Sequence, residues 1–408
     1  MRGMSDHLTF GQRVRFYRKR RKLTQAELGE LLNRSADWVY RVETDRLAVN
    51  SVKRLTSIAD VLRVHVEDLQ GAPTLLDDRD GHQASVPVIR AALMQSRRLS
   101  GILFDNREVP RLERLSMQVD QAWKLYQASE YANLGSKLPG LLADSRVAVH
   151  AYSTGAQRDE ALRGFALASH LAAVYLRKLG ETNLAWNAVD QGDITADELG
   201  DPAVVLALRR GVAHVQLGAG SPEEAVRVTL TAPSEVPSGW WTSSPLALSV
   251  YGTLFLNGAI AAARIADEDD QSLTNEMLGK AQEAADRLGS DCNEMWTSFG
   301  PANVKIHRLA TALEFEDIGA AVDIASDMRG VGAGLPIERQ ARLWLDVARA
   351  FGEAGRTDDA VDNLKRAFKK APEQIRAHEF ARDLAQRLHK RTQRRDMQEL
   401  AVRLGAVK

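Results

Sequence analysis

The stretch Trp344-Leu345-Asp346-Val347-Ala348-Arg349-Ala350-Phe351-Gly352-Glu353-Ala354-Gly355, carried on through Ala360, Leu364 and Ala367 to Pro372, decides how most of the chain is read. Its apolar residues recur every three or four positions, which predicts two helices separated at Gly355. Small residues at Ala348, Ala360 and Ala367 let two antiparallel helices approach closely, while Trp344 and Phe351 fill the seam. Pro372 cannot continue a helix and ends the unit.

The same pattern returns upstream. A Gly followed five residues on by Ala stands at Gly180/Ala185 and Gly220/Ala225, with Val189 and Gly192, then Thr229 and Ala232, at the later small or apolar positions. Glu316/Ala321, with Ala325 and Met328, is a copy that lacks the Gly. Tyr251, Gly252 and Phe255 start another, whose second helix is displaced by Asp267-Glu268-Asp269-Asp270, and Trp123 and Tyr126 open a divergent first unit. No apolar run is read as long enough to span a membrane, and no strand-like alternation persists. These units resemble tetratricopeptide (TPR) repeats. The resemblance implies about six helix pairs stacked as a right-handed α-solenoid over residues 116–374, because no pair can bury its own apolar face, with capping helices in 375–408.

In TPR solenoids the first helix of each pair lines the concave face. The repeat register then places His170, Arg177, Arg210, His214, Thr253, Asn257, Asn303, Arg342 and Arg349 toward a ligand-binding groove. Asn side chains there can pair with an extended peptide backbone, and Arg side chains can hold a carboxylate. Trp240-Trp241, between Pro237 and Pro245, reads as a loop packed at the solenoid edge.

The first 71 residues have a different character. They hold 14 Lys and Arg against 9 Asp and Glu, a charge of +5, and the rest of the neutral chain carries −5. A basic head on an acidic body points to a polyanionic partner for the head alone. Thr24 is a helix cap completed by Glu27, and Ser35 caps a second short helix. Asn33 stands at the sharp joint between them, where a left-handed residue is needed. Leu28, Leu31 and Leu32 are assigned to the buried side of the first helix, and Val39 and Val42 to that of the second. Ala36, Asp37 and Tyr40 are candidate base readers, Trp38 shares their outer face, and Gln25 and Arg41 suit phosphates. The run Arg18-Lys19-Arg20-Arg21-Lys22 adds candidate phosphate contacts, Arg18 and Arg21 among them.

Leu23-Thr24-Gln25-Ala26-Glu27-Leu28-Gly29 and Ser35-Ala36-Asp37-Trp38-Val39-Tyr40-Arg41-Val42-Glu43 resemble the Xre-type, phage-repressor-like helix-turn-helix family. The resemblance implies a five-helix DNA-binding domain over residues 1–71. Asn33 replaces the usual Gly, Arg34 an apolar residue and Asp45 a second Gly; Asp37 either accepts from a cytosine amino group or points away from DNA.

Residues 72–115 read as a linker with short helices, including one from Pro87. The expected fold is all-α. Head and solenoid together resemble two groups: peptide-pheromone-sensing regulators of the RRNPP type, and actinobacterial regulators carrying segments like Phe299-Gly300-Pro301-Ala302-Asn303-Val304 and Leu335-Pro336-Ile337-Glu338-Arg339-Gln340-Ala341. The first group implies homodimers that hold a short peptide through groove Asn residues, a role that maps to Asn303 and Asn257 here. The reading is a sequence-specific transcriptional regulator with a double-stranded DNA operator and a peptide or small-molecule effector.

No phosphate-binding Gly loop, nucleophile elbow or metal-spaced Cys and His cluster is present, so neither an enzyme nor a metal or other cofactor is expected. The lone Cys292 fits a reducing cytoplasm and a partly buried side chain, and no signal-peptide or membrane partner is expected. The alternatives are a protein-interaction adaptor with weak DNA binding, a regulator responding to a small apolar molecule, and an enzyme whose site is assembled across helices.

Overall fold

The computed structural model describes residues 8–47, 49, 51–64, 66–70, 82–94, 107–266 and 270–407. Of the polar stretch 77–83, which reads as a loop for want of any apolar pattern, residues 77–81 lie outside them, as do the acidic residues 267–269, whereas His82 and Gln83 open a helix.

The head begins at α1 (Phe10–Arg20), which Thr9 opens with a capping box closed by Gln12. In α2 (Gln25–Leu31) the expected box is present: Thr24 accepts from the Glu27 backbone, and Glu27 reaches back to the Thr24 N–H. Asn33 adopts φ 55, so the joint turns left-handed without glycine. Ser35 then accepts from the Trp38 N–H at the start of α3 (Ala36–Glu43). Asp45 also turns left-handed, at φ 54, and its carboxylate accepts from Gly11 N at 3.1 Å. The residue that departs from the usual glycine therefore adds a tie between α1 and the end of α3. α4 (Val52–Leu62) and α5 (Val66–Gln70) close the domain. Val14, Leu28, Val39, Val42, Leu55, Ile58, Leu62 and Leu69 form its core. Leu31, assigned by periodicity to the buried side, is 58% exposed because α2 ends there and the chain turns away.

α6 (His82–Met94) is followed by six helix pairs: α7 (Leu112–Gln127) with α8 (Tyr131–Ala151), α9 (Gly155–Lys178) with α10 (Thr182–Leu199), α11 (Pro202–Gly218) with α12 (Pro222–Thr231), α13 (Pro245–Ile265) with α14 (Ser272–Leu288), α15 (Pro301–Glu314) with α16 (Ile318–Ser326), and α17 (Ile337–Glu353) with α18 (Thr357–Lys370). α19 (Pro372–Ala377), α20 (Glu379–Arg391) and α21 (Arg395–Arg403) cap the last pair. Among the described residues there is no strand, only an isolated bridge between Cys292 and Phe299. The first helices of successive pairs stack on one another from α7 to α17. α6 lays Ile89 and Leu93 into the core of the first pairs, against α8 and α10.

Among the described residues the turn position is left-handed at five of the six pairs: Gly180 (φ 76), Gly220 (φ 82) and Gly355 (φ 76), but also Ser129 (φ 59) and Glu316 (φ 58) where the copies lack glycine. Trp344, Ala348, Phe351, Ala360, Leu364 and Ala367 are buried in the α17–α18 seam as the spacing requires. α13 is long and apolar enough to cross a membrane by length and composition, contrary to the sequence reading. Here it is a core helix, with most of its surface covered by α11, α12, α14 and α15.

The solenoid curves until its ends meet. α7 touches α17. Ser129 Oγ donates to Gln374 at 2.8 Å, and Glu373 accepts from the backbone N–H of Tyr131 (2.9 Å) and Ala132 (3.1 Å). The loop 289–300 enters the enclosed side: the Trp296 ring stacks on Trp123, with centroids 5.1 Å apart and planes 4° apart. Gln127 holds this loop through Asn293 Oδ1 (2.9 Å) and the Trp296 carbonyl (3.0 Å).

Candidate nucleic-acid interface and interior groove

α3 has one buried and one open face. Val39, Val42 and Glu43 point inward. Ser35, Ala36, Asp37, Tyr40 and Arg41 are exposed along the outer side, which is the face a groove-reading helix must keep free. Arg46 extends this side, its guanidinium 5.5 Å from the centre of the Tyr40 ring.

Three residues grouped with this face by sequence are placed differently. Arg18 is buried and paired with both oxygens of Glu43, and it also donates to the Leu23 carbonyl at 2.7 Å. Arg21 donates to the carbonyl of Val61, tying α1 to the end of α4. Trp38 is half-buried on the head core, turned from Asp37 and Tyr40 by the 100° step of a helix. Arg18 and Arg21 are thus structural, and Lys19, Arg20 and Lys22 are the exposed cations of that run. Gln25 is half-buried, its amide donating to Glu43 at 2.8 Å, which fits a brace between α2 and α3. Periodicity could not separate Arg18 from its neighbours, because its partner lies 25 residues away on α3.

On the inner side of the solenoid, Arg177 of α9, Arg210 and His214 of α11, and Arg339 of α17 are all half-buried. They lie close enough for their charges to act on one another: burial pushes the His214 imidazole well below its ordinary range, and Arg177, Arg210, Lys178 and Arg339 push it further. Burial lowers Arg177 and pulls Arg210 down to about 10, with Arg339 adding to the latter. Lys178 is pulled down to about 8 by burial, against the pull of Glu338, with which it forms an ion pair. The Lys178 ammonium also lies 5.4 Å from the Tyr126 ring centre and 5.7 Å from that of Tyr131.

The other expected groove residues have separate placements. His170 is buried edge-on against Trp123, at 5.2 Å, and burial keeps it neutral. Thr253 is buried and donates to the Ser249 carbonyl of its own helix, so it offers no free donor to a groove. Asn257 is half-buried on α13. Asn303 is fully buried, and neither its Oδ1 nor its Nδ2 has a hydrogen-bond partner among the described residues. Arg342 and Arg349 both engage the fully buried Asp346, at 2.7 and 2.9 Å, and Arg342 also contacts His378 Nε2 at 2.8 Å. Both guanidinium groups are therefore held within the chain, sharing one carboxylate. Sequence reasoning missed Arg339 and Lys178, although Arg339 stands in the Leu335–Ala341 segment. It also missed Trp296, which lies in a loop outside the repeat register.

Cys292 is a free, partly buried thiol 3.1 Å from Ser249 Oγ. Trp241 packs at the edge, stacked on Tyr251 at 4.6 Å. Among the described residues no group of His, Cys, Asp and Glu could hold a metal ion.

Comparison with known families matches residues 9–70 to a helix-turn-helix domain. Residues 9–70 are a helix-turn-helix domain. Over 78 residues the chain is 35% identical to an immunity repressor protein of Bacillus phage phi105, which amounts to 19% of this chain and 54% of the repressor. The chain thus spans about half the length of the curated relative it matches. A crystal structure of Bacillus thuringiensis PlcR in complex with the peptide PapR7 and DNA aligns over 69% of this chain and 95% of that one. At 16% identity and a TM-score of 0.27, that superposition is too loose to carry an inference.

The helix-turn-helix domain rests on the solenoid at two places. Phe380 of α20 enters the domain's core cluster, and the Arg349 guanidinium covers its ring at 4.3 Å. On the other side Arg54 of α4 pairs with Glu316 at 2.6 Å, and Lys53 donates to the Ala266 carbonyl. Between α4 and the solenoid lies a cavity of about 390 Å³, lined by Asn33, Arg34 and Trp38 on one side and by Ala263, Glu314 and Phe315 on the other.

Proposed function

We propose that this chain is a DNA-binding transcriptional regulator whose solenoid senses an effector and thereby adjusts how the helix-turn-helix domain grips its operator. The observation that carries the reading is the Phe380 contact. One aromatic side chain belongs at once to the core of the helix-turn-helix domain and to the solenoid, and the arginine that stacks on it is tied to the inner face through Asp346 and Arg342. A shift of the inner face has a packed route to the domain.

In this reading Asp37, Ala36 and Tyr40 meet base edges, while Ser35, Gln25 and Arg41 serve the phosphates or the start of α3. The chain acts in the cytoplasm as a homodimer on a two-fold operator and has no catalytic role. The effector is a short signalling peptide, as in cell-density sensing between bacteria, with Asn303 and Asn257 pairing with its backbone. The unmet amide of Asn303 supports this, since a buried amide without partners costs stability until something supplies them. The Arg and His lining of the groove supports a polar effector over an apolar one.

The test is selection of genomic fragments by the purified full-length chain, followed by anisotropy titrations with and without culture-derived peptides. A preferred site whose affinity changes with peptide is expected. Binding without site preference that collapses with salt would leave only an interaction adaptor. A preferred site indifferent to every added peptide would remove peptide sensing.

A further inference from the structure

We propose that Arg177, Arg210, Arg339 and His214, together with the Asn303 amide, form an anion site inside the solenoid that takes a carboxylate or phosphate group of the effector. This deepens the sensing reading above and rests on it.

The case is one of charge placed without its counterpart. α9 packs on α11, where the Arg177 side chain lies against Gly218, and Lys178 of α9 reaches α17 through Glu338, beside Arg339; Arg210 and Arg342 lie close enough to add their charge, so five cations are gathered here. The chain supplies Glu338, which pairs with Lys178 and stands 3.8 Å from Arg339, and Asp346, which pairs with Arg342 and Arg349. Among the described residues no carboxylate pairs with Arg177 or Arg210, and the buried Nε of each has no hydrogen-bond partner. Withdrawing a guanidinium from water is costly unless an anion or several acceptors replace the water. Guanidinium is also the side chain whose forked donors match the two oxygens of a carboxylate or phosphate.

Four further observations point to a ligand. The cationic residues are half-buried, so each keeps surface open to the enclosed side. Asn303, on the neighbouring inner helix, has both amide atoms buried and unmet. It lies one turn before His307, whose imidazole is influenced by Arg339, so it belongs to the same wall. Tyr126, which feels the charges of Arg177, Arg339 and Arg210, gives the site an aromatic side. Trp123 and Trp296 stack further along the same inner surface, where flat or apolar parts of an effector would lie.

The test uses the full chain in matched ionic strength, with thermal unfolding and calorimetry. The probes are inorganic phosphate, N-acetylalanine and the uncharged N-acetylalanine amide, all against chloride. Either anion is expected to raise the melting temperature and bind in the millimolar range, and the amide to do neither. Arg177→Gln and Arg210→Gln should each weaken anion binding at least tenfold, and Arg210→Lys should recover part of it. Response to phosphate alone assigns a phosphorylated effector; response to N-acetylalanine alone assigns a carboxylate, such as a peptide terminus. Should the Gln variants fail to fold, a selenate soak of crystals of the unaltered chain gives the answer by anomalous scattering. A peak between Arg177 and Arg210 supports the site, and peaks only elsewhere overturn it. Equal stabilisation by chloride and both anions, or equal responses in folded Gln variants, also overturns it. If an effector shifts operator affinity equally in the Gln variants, the anion site falls and sensing stands. If anions bind as expected but leave operator affinity unchanged, the site stands and the sensing reading falls.

Discussion

Arginines separate the two halves of this molecule. In the helix-turn-helix domain Arg18 is buried, and Glu43 meets it with both oxygens while Gln25 takes up one of them as well. In the solenoid interior Arg177 and Arg210 are half-buried, each with an enclosed Nε, and no carboxylate pairs with them among the described residues. The difference teaches how to tell architecture from binding among like side chains. A buried cation whose counter-charge comes from the same chain holds elements together. One without it keeps its strongest interaction available for something else.

The sharpest way to break this comparison is Glu43→Ala. If Arg18 is architecture, removing its partner leaves an uncompensated buried charge and destabilises the domain by about 3–5 kcal/mol. Hydrogen exchange of α1–α5 in urea would show it, and a loss below about 1 kcal/mol would place Arg18 with the available cations.

Phe380→Ala comes next. Loss of a phenyl ring from a packed seam costs about 3 kcal/mol or more. We expect faster exchange in α1–α5 with α9 and α10 unchanged. Uniform loosening of the whole chain would mean that Phe380 only caps the solenoid.

Acid should sharpen the comparison from the solenoid side. Burial works to raise the Glu338 carboxyl, but Lys178, Arg339 and Arg342 outweigh it and hold it at about 2, below its ordinary 4.5. A carboxyl lowered on folding contributes stability that is complete above about pH 4.5 and is lost as pH falls toward 2. Lys178, itself pulled down by burial, offsets part of that contribution. Glu338→Gln should therefore flatten the acid limb of the melting temperature between those values, whereas a parallel curve would show that Glu338 does not contribute to it.

On the DNA side, Asp37→Ala should change preference at one base pair by about 1–3 kcal/mol, read by competition among operator variants. Arg41→Ala should weaken all sites alike and lower the salt slope by about 1. An unchanged preference in the first variant removes Asp37 from the readers. The smallest effect belongs to Arg54→Ala. Its ion pair with Glu316 is partly open to solvent and should contribute less than about 1 kcal/mol to docking of the head. A larger change in domain exchange would move the main contact from Phe380 to α4.

The sequence by itself determined the local geometry and the architecture. The Thr24–Glu27 box, the Ser35 cap and the left-handed Asn33 depend on neighbours within a few residues, so they were legible from spacing. The repeat was legible for the same reason: the regular hairpins need small residues at fixed offsets and a left-handed turn, even where Glu316 stands for glycine. The inner-face register assigned Arg177, Arg210 and His214 to the first helices of neighbouring pairs, where helical period and repeat length together set the side each presents. Only the tertiary structure decided what those side chains meet. Arg18 and Arg21 became ties, Thr253 closed on its own helix, and Arg342 and Arg349 came to share the Asp346 carboxylate. Trp296 reached Trp123 from a distant loop, and Phe380 reached the helix-turn-helix core from the far end of the chain. Periodicity states which way a side chain faces, but whether a charge is met or a ring is covered depends on contacts between residues far apart in the chain.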